Sequence, residues 1–504
     1  MSQAEKKNVL NRRSSKYWKW RKDPPALAAL FPVGFASVSS YWRGVLSTEV
    51  AYWTRIIIFV DEPITSTFSP EYFSWSHDKL LDVRLTRRKR HHGRSHPDDA
   101  YERSRVEYIV THLRPHLFRC RSIRLDLRNR SSVVGAVNHL RGAAPELQVL
   151  ALRSEIADTT EDADGLQDLI CPALTDLYVD PKTFIDVTRR GFTWPQKKDR
   201  SVNCNLSLGP YQPLDPLNVI LAKDLVLSLQ TPPASQTLNS ILLRNIVFFP
   251  DLAIPQGLSI RIYYLTLDTI PGDFIVAVSE ASSFEMVLNT ITLKNCSVEE
   301  PLHFGANYHL NLETIADSGT LVNVLRYSDA KEVSITDCAG FDDGFLQAFG
   351  NGGPEGNDFL ACHTKSLSIQ GPKCKFSSAA FKHAVKYRPR ATLESHPSDW
   401  WTDEDDWIGM LSGPVVPLNE LDVFGCDTSF SPSQEEWFRQ HIMDNGWSTS
   451  GCRITSLSLK AEHSESRINE EGDGTDDLDD LIDSLPESRR MPWDRSPVMF
   501  PSDQ

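Results

Sequence analysis

Residues 238–243 (LNSILL), 262–267 (IYYLTL) and 288–293 (LNTITL) carry one apolar spacing three times, with large aliphatic residues at the first, fourth and sixth places. The fourth and sixth places fall on the same side of an extended chain, the period-2 mark of a strand with one buried face. The middle residues Ile241, Leu265 and Ile291 lie 24 and 26 residues apart. A unit that short cannot bury its own apolar face. The spacing therefore predicts strands stacked side by side, with intervening helices or turns as an outer wall.

The same spacing recurs on both sides. It is complete at Leu147, Leu150 and Leu152, at Leu174, Leu177 and Val179, at Leu418, Leu421 and Val423, and at Ile454, Leu457 and Leu459. Partial copies stand at Ile123–Leu125, Val333–Ile335 and Leu367–Ile369. Leu150 and Leu177 are 27 residues apart, and all these intervals fall in the ~20 to 29 of a leucine-rich repeat. The expected fold is α/β, a leucine-rich-repeat-like solenoid over residues 119–460, in which short parallel strands form a curved array with outer helices or turns. Cys296, Cys338 and Cys426 sit three places after the last strand position, where the repeat points a small side chain inward. Between Leu367 and Leu421 the spacing stretches well beyond one unit.

Ahead of the array, Phe35 to Val60 reads FASVSSYWRGVLSTEVAYWTRIIIFV. Phe35, Val38, Trp42, Val45 and Leu46 share one face of a 3.6-residue helix, and the β-branched run Ile56–Val60 before Asp61-Glu62-Pro63 is a buried strand. Residues 31–60 thus form a helix plus a capping strand. Residues 1–30 are polar and flexible in this reading, and 61–118 form a connecting segment. That segment holds a strand at Asp82–Leu85, a charged surface loop over 86–104 and a helix at Val106–His116. Residues 461–504 hold 13 acids and four arginines, the composition of a disordered acidic tail.

The net charge of −14 is unevenly spread. Residues 1–130 carry 25 Lys or Arg against 13 Asp or Glu, and the remainder carries 28 against 54. An acidic body does not wrap nucleic acid, whose affinity comes from phosphate neutralisation. The basic run Arg87–Arg94 is read as a solvated loop, with a nuclear-import signal or a phosphate-binding patch as its functional alternatives. No signal-peptide h-region or apolar run of ~18 residues occurs, so the chain is expected to be soluble, in the cytoplasm or nucleus, with no membrane partner. Nine irregularly spaced cysteines read as reduced thiols, and Cys362-His363 with Cys374 lacks a fourth zinc ligand. The glycines at 350–356 lack G-x-G-x-x-G spacing, and the acids at 403–406 next to Trp400, Trp401 and Trp407 read as a loop folded on its own tryptophans. Nucleophile elbow, P-loop, H-E-x-x-H and kinase signatures are all missing from the sequence. The expectation is a noncatalytic chain with no cofactor, metal or nucleic acid.

Ser37-Val38-Ser39-Ser40-Tyr41-Trp42-Arg43-Gly44-Val45, followed by Tyr52-Trp53-Thr54-Arg55-Ile56, resembles the second half of an F-box from fungal F-box proteins, which commonly continue into degenerate leucine-rich repeats. The segments Leu81–Leu85, His112–Leu127 and Ala144–Leu150 extend the similarity. In place of the Leu-Pro helix of a full F-box, residues 1–30 offer only Pro24-Pro25-Ala26-Leu27. The resemblance implies a substrate receptor of a cullin-RING ubiquitin ligase, in which the F-box holds a Skp-type adaptor and the repeats hold the target protein. By position, Val38, Trp42, Arg43 and Val45 would belong to the adaptor-facing or core-forming helix, and Trp53 would pack that helix onto the first repeats. The alternative is a stand-alone leucine-rich-repeat scaffold without adaptor binding.

Overall fold

A computed structural model describes residues 36, 39–61, 68–87, 99–191, 204–215, 219–230, 238–249, 253–260, 262–283, 289–304, 308–351, 360–395, 418, 420–426, 428 and 430–443. The expectations for residues 1–35, for Val38, for the 400–407 segment, for Ile454, Leu457 and Leu459 and for the acidic tail lie outside them. The architecture is α/β, with one 13-stranded parallel sheet and 11 α-helices among the described residues.

The sheet begins with β1 (Arg55–Phe59), β2 (Leu81–Thr86), β3 (Cys120–Asn129), β4 (Val149–Ile156) and β5 (Asp176–Val179). It continues through β6 (Asn205–Leu208), β7 (Leu238–Arg244), β8 (Ile262–Asp268) and β9 (Thr290–Lys294). It ends with β10 (His309–Glu313), β11 (Glu332–Thr336), β12 (Ser366–Gln370) and β13 (Glu420–Phe424). Every strand pairs with the next one in sequence, so the spatial order repeats the chain order without a single crossover. Each added unit buries the apolar face of its predecessor. Ile241, Leu265, Ile291, Leu310, Val333, Leu367 and Leu421 lie in one register row, all buried.

The wall on the core side comprises α1 (Ser40–Thr48), α2 (Glu71–Trp75), α3 (Asp99–Leu113), α4 (Arg130–Val137), α5 (Pro181–Arg189) and α6 (Ala222–Leu229), then α7 (Gly272–Ala281), α8 (Ser318–Arg326), α9 (Asp343–Asn351), α10 (Ser378–Ser395) and α11 (Pro432–Met443). Helices of successive units touch, as α3 does α4, α5 does α6, and α8 to α11 do in turn. Local sequence starts two of them cleanly. Asp180 and Asp317 accept hydrogen bonds from the backbone N–H of Thr183 and Thr320, capping α5 and α8.

A left-handed residue follows each of β6 to β13 directly: Gly209, Asn245, Thr269, Asn295, Thr314, Asp337, Gly371 and Gly425, with φ between 48 and 108°. From Asn245 to Gly371 the N–H of each such residue donates to the last carbonyl of the next strand at 2.7 to 3.0 Å. The ladder thus runs one bond past the strand before the chain turns inward. Gly209 is needed there, since a Cβ would stand 2.0 Å from the Arg244 carbonyl oxygen. Cys296 and Cys338 occupy the inward position beyond the turn, and their thiols donate to carbonyls of their own and the preceding strand at 3.2 to 3.5 Å. Cys426 is only half-buried.

The array is longer than the spacing implied. The segment expected to connect contributes β2 as a full member, and β1 pairs with it in register from Arg55↔Asp82 to Phe59↔Thr86, so the sheet starts at Arg55 rather than at residue 119. Helix α3 starts at Asp99, inside the stretch expected to be a loop, because Glu102 is drawn into the interior. Its carboxylate accepts the backbone N–H groups of Arg128 and Asn129 at the end of β3. Strands β6 and β10 were missing from the expected copies. The stretched interval before Leu421 holds α10, and β12 and β13 still pair directly.

Candidate functional site

Two surfaces stand out, the first built from residues singled out by sequence and the second from strand positions that the sequence did not single out. The first is the entry unit. Ser39 caps α1 by accepting the Trp42 N–H at 3.2 Å, and Arg43 Nε donates to the Ala36 carbonyl at 3.3 Å. Of α1 only Leu46 is buried; Trp42 is 44% and Val45 42% exposed, with Tyr41 and Tyr52 also outward. The expected single apolar face is thus split, Leu46 going to the core and Trp42 and Val45 to the surface. The physical reason lies in the short 3₁₀ turn Val50–Thr54, which delivers Trp53 into the space between helix and sheet. Trp53 is 1% exposed, stacks on Tyr72 at 4.9 Å, meets Trp75 edge-on at 4.6 Å, and donates its indole N–H to the Leu46 carbonyl at 2.8 Å. One buried indole therefore fixes where α1 sits and leaves its other side presented.

The second surface is the sheet face opposite the core. Side chains alternate along each strand, so residues in register form rows across the units. One row runs Thr266, Thr292, Asn311, Ser334, Ser368 and Asp422 from β8 to β13, all half-buried and polar. The flanking rows carry ion pairs between neighbouring units. Arg244 meets Asp268 at 2.8 Å, Lys294 meets Glu313 at 3.1 Å, and His309 Nδ1 meets Glu332 at 2.8 Å. Toward β1 the face turns cationic, with Arg55, Arg84, Arg124 and Arg153 on successive strands.

Groups suited to chemistry are mostly tied up structurally. Burial pushes the thiols of Cys120, Cys171 and Cys204 up to about 12 and that of Cys338 to about 11, which holds them protonated and unreactive at neutral pH. Cys374 is held below the usual thiol value by a hydrogen bond from the Cys426 thiol. Asp342 and Asp343 accept backbone N–H groups of Phe345 and Ser377. Arg130, fully buried, faces Asp180 at 3.4 Å and Asp186 at 3.3 Å and donates to the carbonyls of Thr159 and Glu161 at 3.0 and 2.8 Å. That network joins three consecutive units and was invisible in sequence, because its members are 50 and 56 residues apart. His363 sits 3.5 Å from Asp329. Among the described residues no group of three or more His, Cys, Asp or Glu is placed to hold a metal ion, and no helix is long and apolar enough to cross a membrane. No protein-family model matches the chain, and no curated protein matches it.

Proposed function

We propose that the chain is a noncatalytic protein-interaction module, an F-box-type substrate receptor of a cullin-RING ubiquitin ligase whose leucine-rich repeats hold the protein to be modified. The observation that carries this reading is the division of labour around Trp53. A short helix is anchored on the first strand by a buried indole while Trp42, Val45, Tyr41 and Tyr52 remain outward, next to a stack of parallel strands whose far face is polar. A docking helix joined to a repeat scaffold is what an adaptor-bound receptor needs. The strand order, the 24- and 26-residue intervals between Ile241, Leu265 and Ile291, and the left-handed residue after each of β6 to β13 support the leucine-rich-repeat assignment. In this reading Trp42 and Val45 meet the Skp-type adaptor, Arg43 belongs to the same helix, and Trp53 holds it. No cofactor, metal or nucleic acid takes part.

Co-purification of the full chain with a Skp-type adaptor and a cullin tests the reading. A stable ternary complex is the expected result, and its failure to form at micromolar concentrations rejects the ligase role. The second reading, a stand-alone repeat scaffold, is favoured by the exposure of α1, which buries only Leu46 and makes a small docking element by itself. It predicts no adaptor complex and capture of a target protein alone.

A further inference from the structure

The cationic end of the open sheet face is unbalanced in a specific way. Arg84 on β2 and Arg124 on β3 are direct register partners, so their Cα atoms stand about 4.8 Å apart on one side of the sheet. Like charges directly opposite each other are destabilising in a sheet, and a sequence keeps such a pair only where something offsets it. The sheet supplies one carboxylate. Asp126, two residues beyond Arg124 on the same strand, meets Arg84 Nη2 at 2.9 Å and Arg153 of β4 at 4.0 Å. Arg153 also lies over the Tyr178 ring at 4.8 Å. Two guanidinium groups thus share one acid. The next acid on this face toward β1, Asp82, is held by Arg121 through both of its oxygens. Arg124 has the Ser122 hydroxyl as its hydrogen-bond partner, at 3.2 Å, and Arg84 Nε is buried with no acceptor.

We propose that the β2–β5 part of this face binds the carboxylate side chains of an acidic protein segment, with Arg124 and Arg84 as the receiving pair and Tyr178, one strand beyond Ala151, as an apolar wall. The proposal rests on the reading of the chain as a protein-binding scaffold and names the chemistry of what it holds. Guanidinium forks match carboxylates bidentately, and a second acid entering between Arg84 and Arg124 completes the charge balance that Asp126 leaves open. A protein segment suits the site better than nucleic acid does. A cluster this small offers too few cations for the counterion release that drives nucleic-acid binding. A Glu or Asp side chain needs only the local pair.

The test uses the full chain and a short dye-labelled peptide of alternating Glu and Ser, read by fluorescence anisotropy. Its Gln-Ser counterpart and a single-stranded oligonucleotide serve as comparisons. Saturable binding of the Glu peptide that weakens as salt rises is expected, with the Gln peptide and the oligonucleotide much weaker. Arg124→Gln should weaken binding by about tenfold, the scale of one charge-assisted contact, without lowering the melting temperature. Arg244→Gln, on the same face at β7 and half exposed, should bind like the parent. The proposal is overturned if the parent chain binds no Glu peptide, if the Gln peptide or the oligonucleotide binds as tightly, or if Arg124→Gln binds unchanged. Adaptor titration of the same preparation reports separately on the ligase role, because α1 lies outside this cluster.

Discussion

The indole N–H of Trp53 donates to the carbonyl of Leu46 at 2.8 Å from a fully buried ring, and this single bond ties α1 to the first strand of the sheet. Trp53→Phe keeps most of the ring stacking and removes the donor, so it should cost about 1 kcal/mol. Trp53→Ala should cost about 3 to 5 kcal/mol and free the helix. Chemical denaturation measures the first quantity, and hydrogen exchange across residues 40–48 reads the second as lost protection confined to α1 and its neighbours.

Arg130 should be the costliest single charge to remove. Without it Asp180 and Asp186 are left buried beside each other, and breaking a buried pair typically costs about 3 to 5 kcal/mol. Burial already pushes the Asp186 carboxyl above its usual value against the pull of Lys182 and Arg130. A group raised in the folded state loses stability as pH climbs through its folded value. Arg130→Met should therefore be least destabilising in acid and worst at neutral pH, as seen by urea midpoints across pH.

Asp317 shows the opposite sign. The N–H of Thr320 holds its carboxyl below the usual range, so the stability it contributes is present above the unfolded value of about 4 and is lost as pH falls through the folded value. Asp317→Ala should cost about 1 kcal/mol at neutral pH. Asp317→Asn should keep the cap and flatten the acid limb of the stability curve, which is the readout that separates a capping role from mere packing.

Thr269 and Thr314 stand in the left-handed region at φ of 58 and 57°, where a β-branched side chain is strained and neighbouring units use Asn or Asp. Replacing Thr314 by Asn should stabilise the fold by about 0.5 to 1 kcal/mol. A thermal melt of the variant checks the sign, and a lowered melting temperature would show that the Thr side chain has a packing role outweighing its backbone strain.

The repeat was legible because burial imposes a period: Ile241, Leu265 and Ile291 announce strands whose neighbours they cover. β10 and β6 were missed because their apolar pairs, Leu310–Leu312 and Leu206–Leu208, lack the aliphatic residue three places earlier, where the sequence has Asn307 and Asn203 instead. β2 joins the sheet through its own buried Leu81, Val83 and Leu85, yet a single strand flanked by charged sequence carries no sign of which strands it will pair with. The register that sets Arg84 beside Arg124 and the Arg130 network arise only when units stack. Pairings of that kind, between residues tens of positions apart, have no local signature.

The most direct test of the central claim is isothermal titration of a Skp-type adaptor into the full chain and into a Trp42→Ala, Val45→Ala double variant. Both positions are exposed, so the variant should fold as the parent does. The account predicts a one-to-one complex with a dissociation constant of about a micromolar or tighter, weakened at least tenfold in the variant. Absence of heat with the parent chain, or equal affinity for parent and variant, would contradict it.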